Sequence, residues 1–537
     1  MALGEADGRS RDRERRVPTV LGAVTGLFAA LLVSWSVLTP IGIGPDAPGH
    51  VSLLRHVADG RGYPEYDEFR PDTGDVSVVF AYRPGVSSLS ESRWLTSSAA
   101  PRRSDRPTYE QLGGREPWPY HNQLAQHPPL YYVALAPVGA LIDQTIGDQP
   151  IERTFLAWGW TNAALVVALP LLAFTAARRL GVGPDAALTA ALFPLAVPQL
   201  FHIGASPNND NLLVLLGAVL AVLLAGVVRG DDRTRTALAV GVVAGLALWT
   251  KAPAFAFLPW IGVVYAVAAL RPGTATASGG EVRPARVVRA GTIALGTTLG
   301  VGSFWWARNL VRHGELMPTI LDWRSAGPAD LWPPPFAYIR RFVPTFTHRF
   351  WGNMGSYEAP LSPVLVVTAT VVVIVTVLVA LAPGRVGRLG RSRVARLRLL
   401  GFASVVPLLA VAVFLSAYGY YLHNEVAAQI QGRYLFAALV PLAVVVGVGS
   451  TRLAGRWAAP SMLAGASVLQ LDATRAALVA FWAEPDASLV KSARGMVAWS
   501  PLPEPVTVGL ALATLAAAVV TAVLVVRFAR AGEVLRV

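Results

Sequence analysis

Apolar stretches close to twenty residues long alternate with polar connections from one end of the chain to the other. A helix needs about 20 apolar residues to cross the hydrocarbon core of a bilayer. The pattern predicts spans at about 18–43, 154–177, 185–203, 211–228, 236–251, 253–270, 290–308, 362–383, 399–417, 433–450, 457–480 and 505–526. Asp472 and Arg475 interrupt the 457–480 stretch. The predicted fold class is an all-α polytopic transmembrane bundle of about twelve spans, with a large outer-face first loop containing juxtamembrane helices. A basic N-terminal segment, 1–17, precedes a module at 18–450 with outer segments 44–153 and 309–361; further membrane segments fill 451–537.

Composition agrees with this class. Of 537 residues, 53% are hydrophobic and 15% charged, which leaves too little polar surface for a soluble protein of this length. The first apolar run is too long for a signal h-region and lacks a small-residue cleavage site. There is no cysteine, so disulfides and thiolate metal sites are excluded. The net charge of +13 raises a nucleic-acid reading, but the basic residues cluster in short connections between spans, where membrane orientation accounts for them. Only Lys251 and Lys491 among the basic residues are lysines, a bias toward arginine that suggests a GC-rich bacterial source.

The segment 128–143 is apolar but short, and Pro128, Pro129 and Pro137 punctuate it. If it lies along the outer surface, the arginines near 178, 229–235, 271–289, 385–398, 452–456 and 527–536 are all cytoplasmic. If it crosses, all of these move outside. The positive-inside rule therefore predicts a juxtamembrane or re-entrant helix. Both termini are then expected in the cytoplasm, and the candidate chemistry gathers on the outer face of the plasma membrane.

That chemistry begins with Asp46, in Pro45-Asp46-Ala47-Pro48-Gly49-His50 after the first span. A carboxylate fixed at a helix end can serve as general base or bind a cation; it can equally cap the next helix, with Pro48 in its first turn. His127 precedes Pro128-Pro129-Leu130-Tyr131-Tyr132, where Tyr131 and Tyr132 read first as interfacial anchors. Asn208-Asn209-Asp210 at a span boundary offers a helix cap, or a cluster for sugar hydroxyls or a divalent cation. Lys251, Arg308 and Arg433 stand at outer span ends, either as snorkelling side chains or as a clamp for phosphate. No Walker loop, zinc-protease motif or nucleotide fingerprint is present.

In order and spacing these motifs, with Phe350-Trp351-Gly352, resemble the GT-C superfamily of integral-membrane glycosyltransferases, most closely an actinobacterial branch and more loosely protein O-mannosyltransferases and aminoarabinose transferases. The resemblance covers residues 20–450. It implies transfer of a sugar from a polyprenyl-phosphate carrier to an envelope glycan, lipid or protein, with Asp46 catalytic. His50, His127, Tyr131, Asn209, Asp210, Lys251, Arg308 and Arg433 are the candidate substrate-binding residues. Relatives often carry a second acid after the first; here it is Ala47, so a metal is not implied with certainty and no other cofactor is. The expected partners are a lipid-linked sugar donor, an envelope acceptor and membrane lipids. The rival readings are a transporter or flippase, which requires ionisable groups near the bilayer midplane, and a non-catalytic assembly protein.

The topology is testable in a chain without native cysteine. In intact cells an Arg391→Cys variant is expected to resist an impermeant thiol reagent and to react after permeabilisation; labelling in intact cells would reverse the assignment.

Overall fold

Proline sets many of the helix starts. Pro184, Pro284 and Pro363 each occupy the first turn of a helix, where the missing N–H is no loss. The computed structural model describes residues 2–81, 100–270, 283–319, 335–383, 393–424, 429–482 and 487–531. The Pro-rich segment expected at 328–336 lies outside these except for its last two residues, as do Arg271, Arg385, Arg388, Arg391 and Arg536.

The protein is all-α, and among the described residues one two-stranded ribbon, Asn353–Met354 with Ala359–Pro360, is present. Eight helical stretches among the described residues are long and apolar enough to cross a membrane. The number is ten if each of two bent pairs, Pro184–Ala196 with Pro198–Gly204 and Pro284–Gly302 with Phe304–His313, is one span. Helix underlies all twelve predicted stretches, and the lower count has two sources. The stretch expected at 236–251 is a helix of only 15 residues, Thr234–Leu248. Gly432–Trp482 counts once at 51 residues, yet holds two helices, Leu439–Ala454 and Ala458–Trp482. The interrupting Asp472 is satisfied: it accepts from Ser362 N at 2.7 Å and pairs with Arg475 at 2.9 Å.

Close packing joins these helices. A side chain at Gly241 would meet Thr297 Cβ at 2.4 Å, so glycine is what lets the Thr234–Leu248 and Pro284–Gly302 helices touch. The first helix, Ala2–Leu38, runs against the last, Glu504–Arg530, in opposite directions: Ser34 meets Thr514 at 2.8 Å, and Thr521 donates to Ala23 O at 3.1 Å. Glu14 pairs with Arg178 at 3.5 Å. The first helix near Glu14, the C-terminal end of the last helix and Arg178 therefore share one end of the bundle.

At the opposite end two short helices form a shelf. Ala47–Ala58 and Leu130–Ile146 run side by side in the same direction, with His50 against Tyr132 and Arg55 against Asp143. The following helix, Ile151–Val166, runs back along them, with Asn162 against Tyr131. Leu130–Ile146, at 17 residues, is apolar but shorter than the stretches long enough to cross.

Arg106 locks the far edge of the shelf. It pairs with Glu152 at 2.5 Å, both side chains at or below 1% exposure. Its guanidinium also donates to the carbonyls of Ala498, Trp499 and Ser500, the unpaired oxygens at the end of the helix Leu489–Trp499. Removing one partner of such a buried pair strands the other charge, at a cost of roughly 3–5 kcal/mol. Arg106→Leu is expected to lower the thermal-unfolding midpoint in detergent sharply, and Arg106→Leu with Glu152→Leu to recover part of it; an unchanged midpoint in the single variant would refute the lock.

Candidate functional site

Four loop corners meet at the shelf end of the bundle. Asp210 opens the helix Asp210–Val227. Its Oδ1 accepts from Lys251 Nζ at 2.6 Å, and its Oδ2 lies 3.2 Å from Arg433 Nε. All three side chains are 4–7% exposed. Lys251 follows the Thr234–Leu248 helix, and Arg433 sits in the 3₁₀ turn Gly432–Ala438. The Tyr434 ring lies 4.9 Å from Lys251 Nζ and 5.8 Å from the Arg433 guanidinium carbon, within cation–π range. Gly432 is required by proximity: a side chain there would meet Phe346 O at 2.1 Å.

Asn209 occupies the cap position of the Asp210 helix but does not cap it. Its Oδ1 accepts from Lys251 Nζ at 3.0 Å instead. Asn208 does the local work, accepting from Asp210 N at 2.8 Å and donating to Pro45 O at 3.1 Å. That second bond fastens the loop to the turn carrying Asp46.

Asp46 also stands at a cap position without capping. Its backbone is left-handed, φ 57°, which is uncommon and strained for a residue other than glycine. The carboxylate is 40% exposed, 3.6 Å from Arg433 Nη2 and 3.5 Å from Gln123 Nε2. The site thus holds two carboxylates and two cations, three of these groups buried and Asp46 at the rim.

His50 is buried beneath this rim, stacked on Tyr132 with Nδ1 2.9 Å from its hydroxyl. Burial first, then the positive charge of Lys251, holds its imidazole well below the ordinary range. The same two causes, in that order, take His127 down to about 3. Both rings are therefore neutral near pH 7. Tyr131 is fully buried and donates to Asn162 Oδ1 at 2.9 Å. Asn162 also receives Asn208 N at 3.3 Å and Asn211 Nδ2 at 3.0 Å. Tyr131 thus supports the Asn208–Asp210 loop from below.

Arg308 does not converge on Asp210. It pairs with Glu65, as does Arg312 at 2.6 Å, in a cleft lined by Tyr66, Gln126, Trp305 and Asn309. Burial alone would raise the Glu65 carboxyl, but the Arg308 hydrogen bond and charge outweigh it and hold it below its ordinary value. Among the described residues no group of three or more His, Asp or Glu side chains is placed to hold a metal ion.

Sequence reasoning passed over Gln123, Arg349 and Tyr357. The Arg349 guanidinium lies 3.7 Å from the Tyr357 ring centre, and Gln431 Nε2 donates to the Tyr357 hydroxyl at 2.7 Å. Nothing marks Tyr357 in the sequence, yet its φ of 83° is left-handed too.

Residues 28–443 match the family described as predicted membrane protein DUF2142, and the chain belongs to that family. Among solved structures the chain is similar to ArnT from Cupriavidus metallidurans in the apo state, at 15% identity over 94% of this chain and 73% of that one, TM-score 0.46. It is similar to the same protein bound to undecaprenyl phosphate, at 15% identity over 94% and 75%, TM-score 0.44. A further similarity is to the Archaeoglobus fulgidus oligosaccharyltransferase in the apo form, at 14% identity over 94% and 56%, TM-score 0.37. A search of curated proteins finds no match.

The shelf that presents Asp46 and His50 has a polar anchor of its own. Arg55 pairs with Asp75 at 3.2 Å and Asp143 at 2.7 Å, and Tyr109 lies against its guanidinium at 4.1 Å. Burial pushes the Asp75 carboxyl up to about 6, and the nearby Asp72 and Asp143 add to the effect against the pull of Arg55. One guanidinium is shared between two carboxylates, so the upward direction follows. A carboxyl raised in the folded state binds its proton more tightly there than when unfolded, so its contribution is present below about pH 4 and lost as pH rises through about 6. Thermal stability is expected to decline across that window in the native protein and to lose this component in Asp75→Asn. An identical pH profile in the variant would refute the assignment.

Proposed function

We propose that this protein is a membrane glycosyltransferase, moving a sugar from a polyprenyl-phosphate carrier to an acceptor hydroxyl on the outer face of the membrane. The observation that carries the reading is a strained, half-exposed Asp46 carboxylate beside the buried Lys251–Asp210–Arg433 set. In this reading Asp46 takes the proton of the acceptor hydroxyl as its oxygen attacks the anomeric carbon. The bond from that carbon to the phosphate oxygen breaks, and the electron pair leaves on the phosphate. Lys251 and Arg433 stabilise the charge that develops there, a stabilisation worth most in a site shielded from water. Asp210 touches no reacting atom; it holds both cations in place. The neutral His50 and His127 add no competing charge. Orientation is supported by Arg178, Arg179, Arg452, Arg527 and Arg530, which follow the helix ends remote from Asp46.

Asp46→Asn keeps the shape of the side chain and removes its charge. Sugar transfer from a polyprenyl-phosphate donor is expected to fall about 10²-fold or more, with folding intact because the native carboxylate makes no capping bond. Lys251→Ala and Arg433→Ala are each expected to weaken binding of the lipid-phosphate donor. Near-normal transfer by purified Asp46→Asn would overturn the assignment.

A further inference from the structure

Arg349 stands out among the arginines of the site end because no acid answers it. The described residues give it one carbonyl, Ile430 O at 2.9 Å, and the Tyr357 ring, but no carboxylate. Its Nε is buried without a hydrogen-bond partner, and the positive field of Arg433 reaches it. A cation so placed is unfavourable unless an anion joins it. Asp46 and Asp210 are taken by Arg433 and Lys251, so neither acid is a partner of Arg349.

The helix that carries Arg349, Pro335–Trp351, also carries Tyr338, Phe342 and Phe346 at four-residue spacing, hence on one face. These rings pack with Phe414, Tyr418 and Tyr421 of the helix Val405–Asn424 in an apolar cluster separate from the main core. Ile430 and Tyr434 belong to the same cluster. One helix face therefore ends in a cation without a carboxylate and continues into this cluster, whose edge rings Phe346, Phe414, Tyr418 and Tyr434 are only partly buried. A ligand that fits both has a single phosphate at one end and a long hydrocarbon chain behind it.

Resting on the transferase reading, we infer that Arg349, stacked on Tyr357, is a further phosphate-binding residue for the lipid carrier, and that the partly exposed rings at the edge of the aromatic cluster, Phe346, Tyr418 and Tyr434, flank the first part of its chain. Lys251 and Arg433 meet the phosphate from the Asp210 side and Arg349 from the other. Arginine suits the position because its planar group both stacks on a ring and presents parallel donors.

The test is equilibrium binding to the purified full chain in phosphatidylcholine nanodiscs, with farnesyl phosphate, geranylgeranyl phosphate, farnesol and inorganic phosphate as probes. Native protein is expected to bind geranylgeranyl phosphate most tightly and inorganic phosphate least. Arg349→Gln is expected to weaken both lipid phosphates tenfold or more and leave farnesol unchanged, with Arg349→Lys intermediate. Phe346→Leu is expected to narrow the gap between the two lipid phosphates without moving inorganic phosphate. If Arg349→Gln does not fold, Arg349→Lys carries the comparison, since it keeps the charge and loses the stacking. Native-like lipid-phosphate affinity in a folded Arg349 variant overturns the proposal, and so does the absence of any chain-length preference. Loss of sugar transfer in Asp46→Asn with affinity untouched in Arg349→Gln keeps the transferase reading and removes the cradle. Arg349-dependent binding in a protein that transfers no sugar does the reverse.

Discussion

The Asp210 carboxylate lies between Lys251 and Arg433, with all three side chains nearly sealed from water. An unpaired charge in that position would be prohibitively unfavourable, and each of the three exists there only because the other two do. The consequence is geometric. Asp210 begins one helix, Lys251 follows the end of another, and Arg433 lies in a turn more than two hundred residues beyond Asp210. The charge triad therefore fixes where three distant parts of the chain must meet. Asn208 extends the same constraint to the Asp46 turn through its bond to Pro45.

Once the cations are neutralised from below, what faces outward is a small set of groups with unfinished interactions. Asp46 sits at the rim in a left-handed conformation and does not use its side chain to cap. Tyr357 adopts the same unusual backbone region on the other side of Arg433. Strain of this kind persists only where surrounding structure over-determines it. Here the surroundings are the shelf helices, pinned through Arg55, and the close contact of Gly432 with the helix below it.

Much of the architecture is legible in the sequence because bilayer physics is coarse. Apolar runs of the right length are helices, and prolines and glycines mark where they break. The polar corners were legible too: Asp46, Asn209, Asp210, Lys251 and Arg433 all stand at helix ends, and the structure brings them together. Arg308 has the same signature and goes elsewhere, because its partner Glu65 lies in an irregular segment with no periodicity from which to place it. Tyr131 reads as an interfacial anchor, yet is buried against Asn162, a pairing between residues thirty-one apart that no local pattern encodes. Arg349 was hidden by company. In a chain so rich in arginine, nothing in the sequence distinguishes an arginine with a carboxylate partner from one without.

The Arg106 lock has a bearing on biogenesis. Its partners include the backbone of Ala498, Trp499 and Ser500, almost four hundred residues downstream. During synthesis the first extramembranous loop emerges with a buried-type arginine whose acceptors have not yet left the ribosome. The anchor of the loop that carries Asp46 is therefore incomplete until the helix Leu489–Trp499 is in place. A nascent chain stopped before residue 498 would leave Arg106 with Glu152 but without the three carbonyls that complete its coordination. The fold thereby ties the shelf, near one end of the sequence, to a helix end near the other.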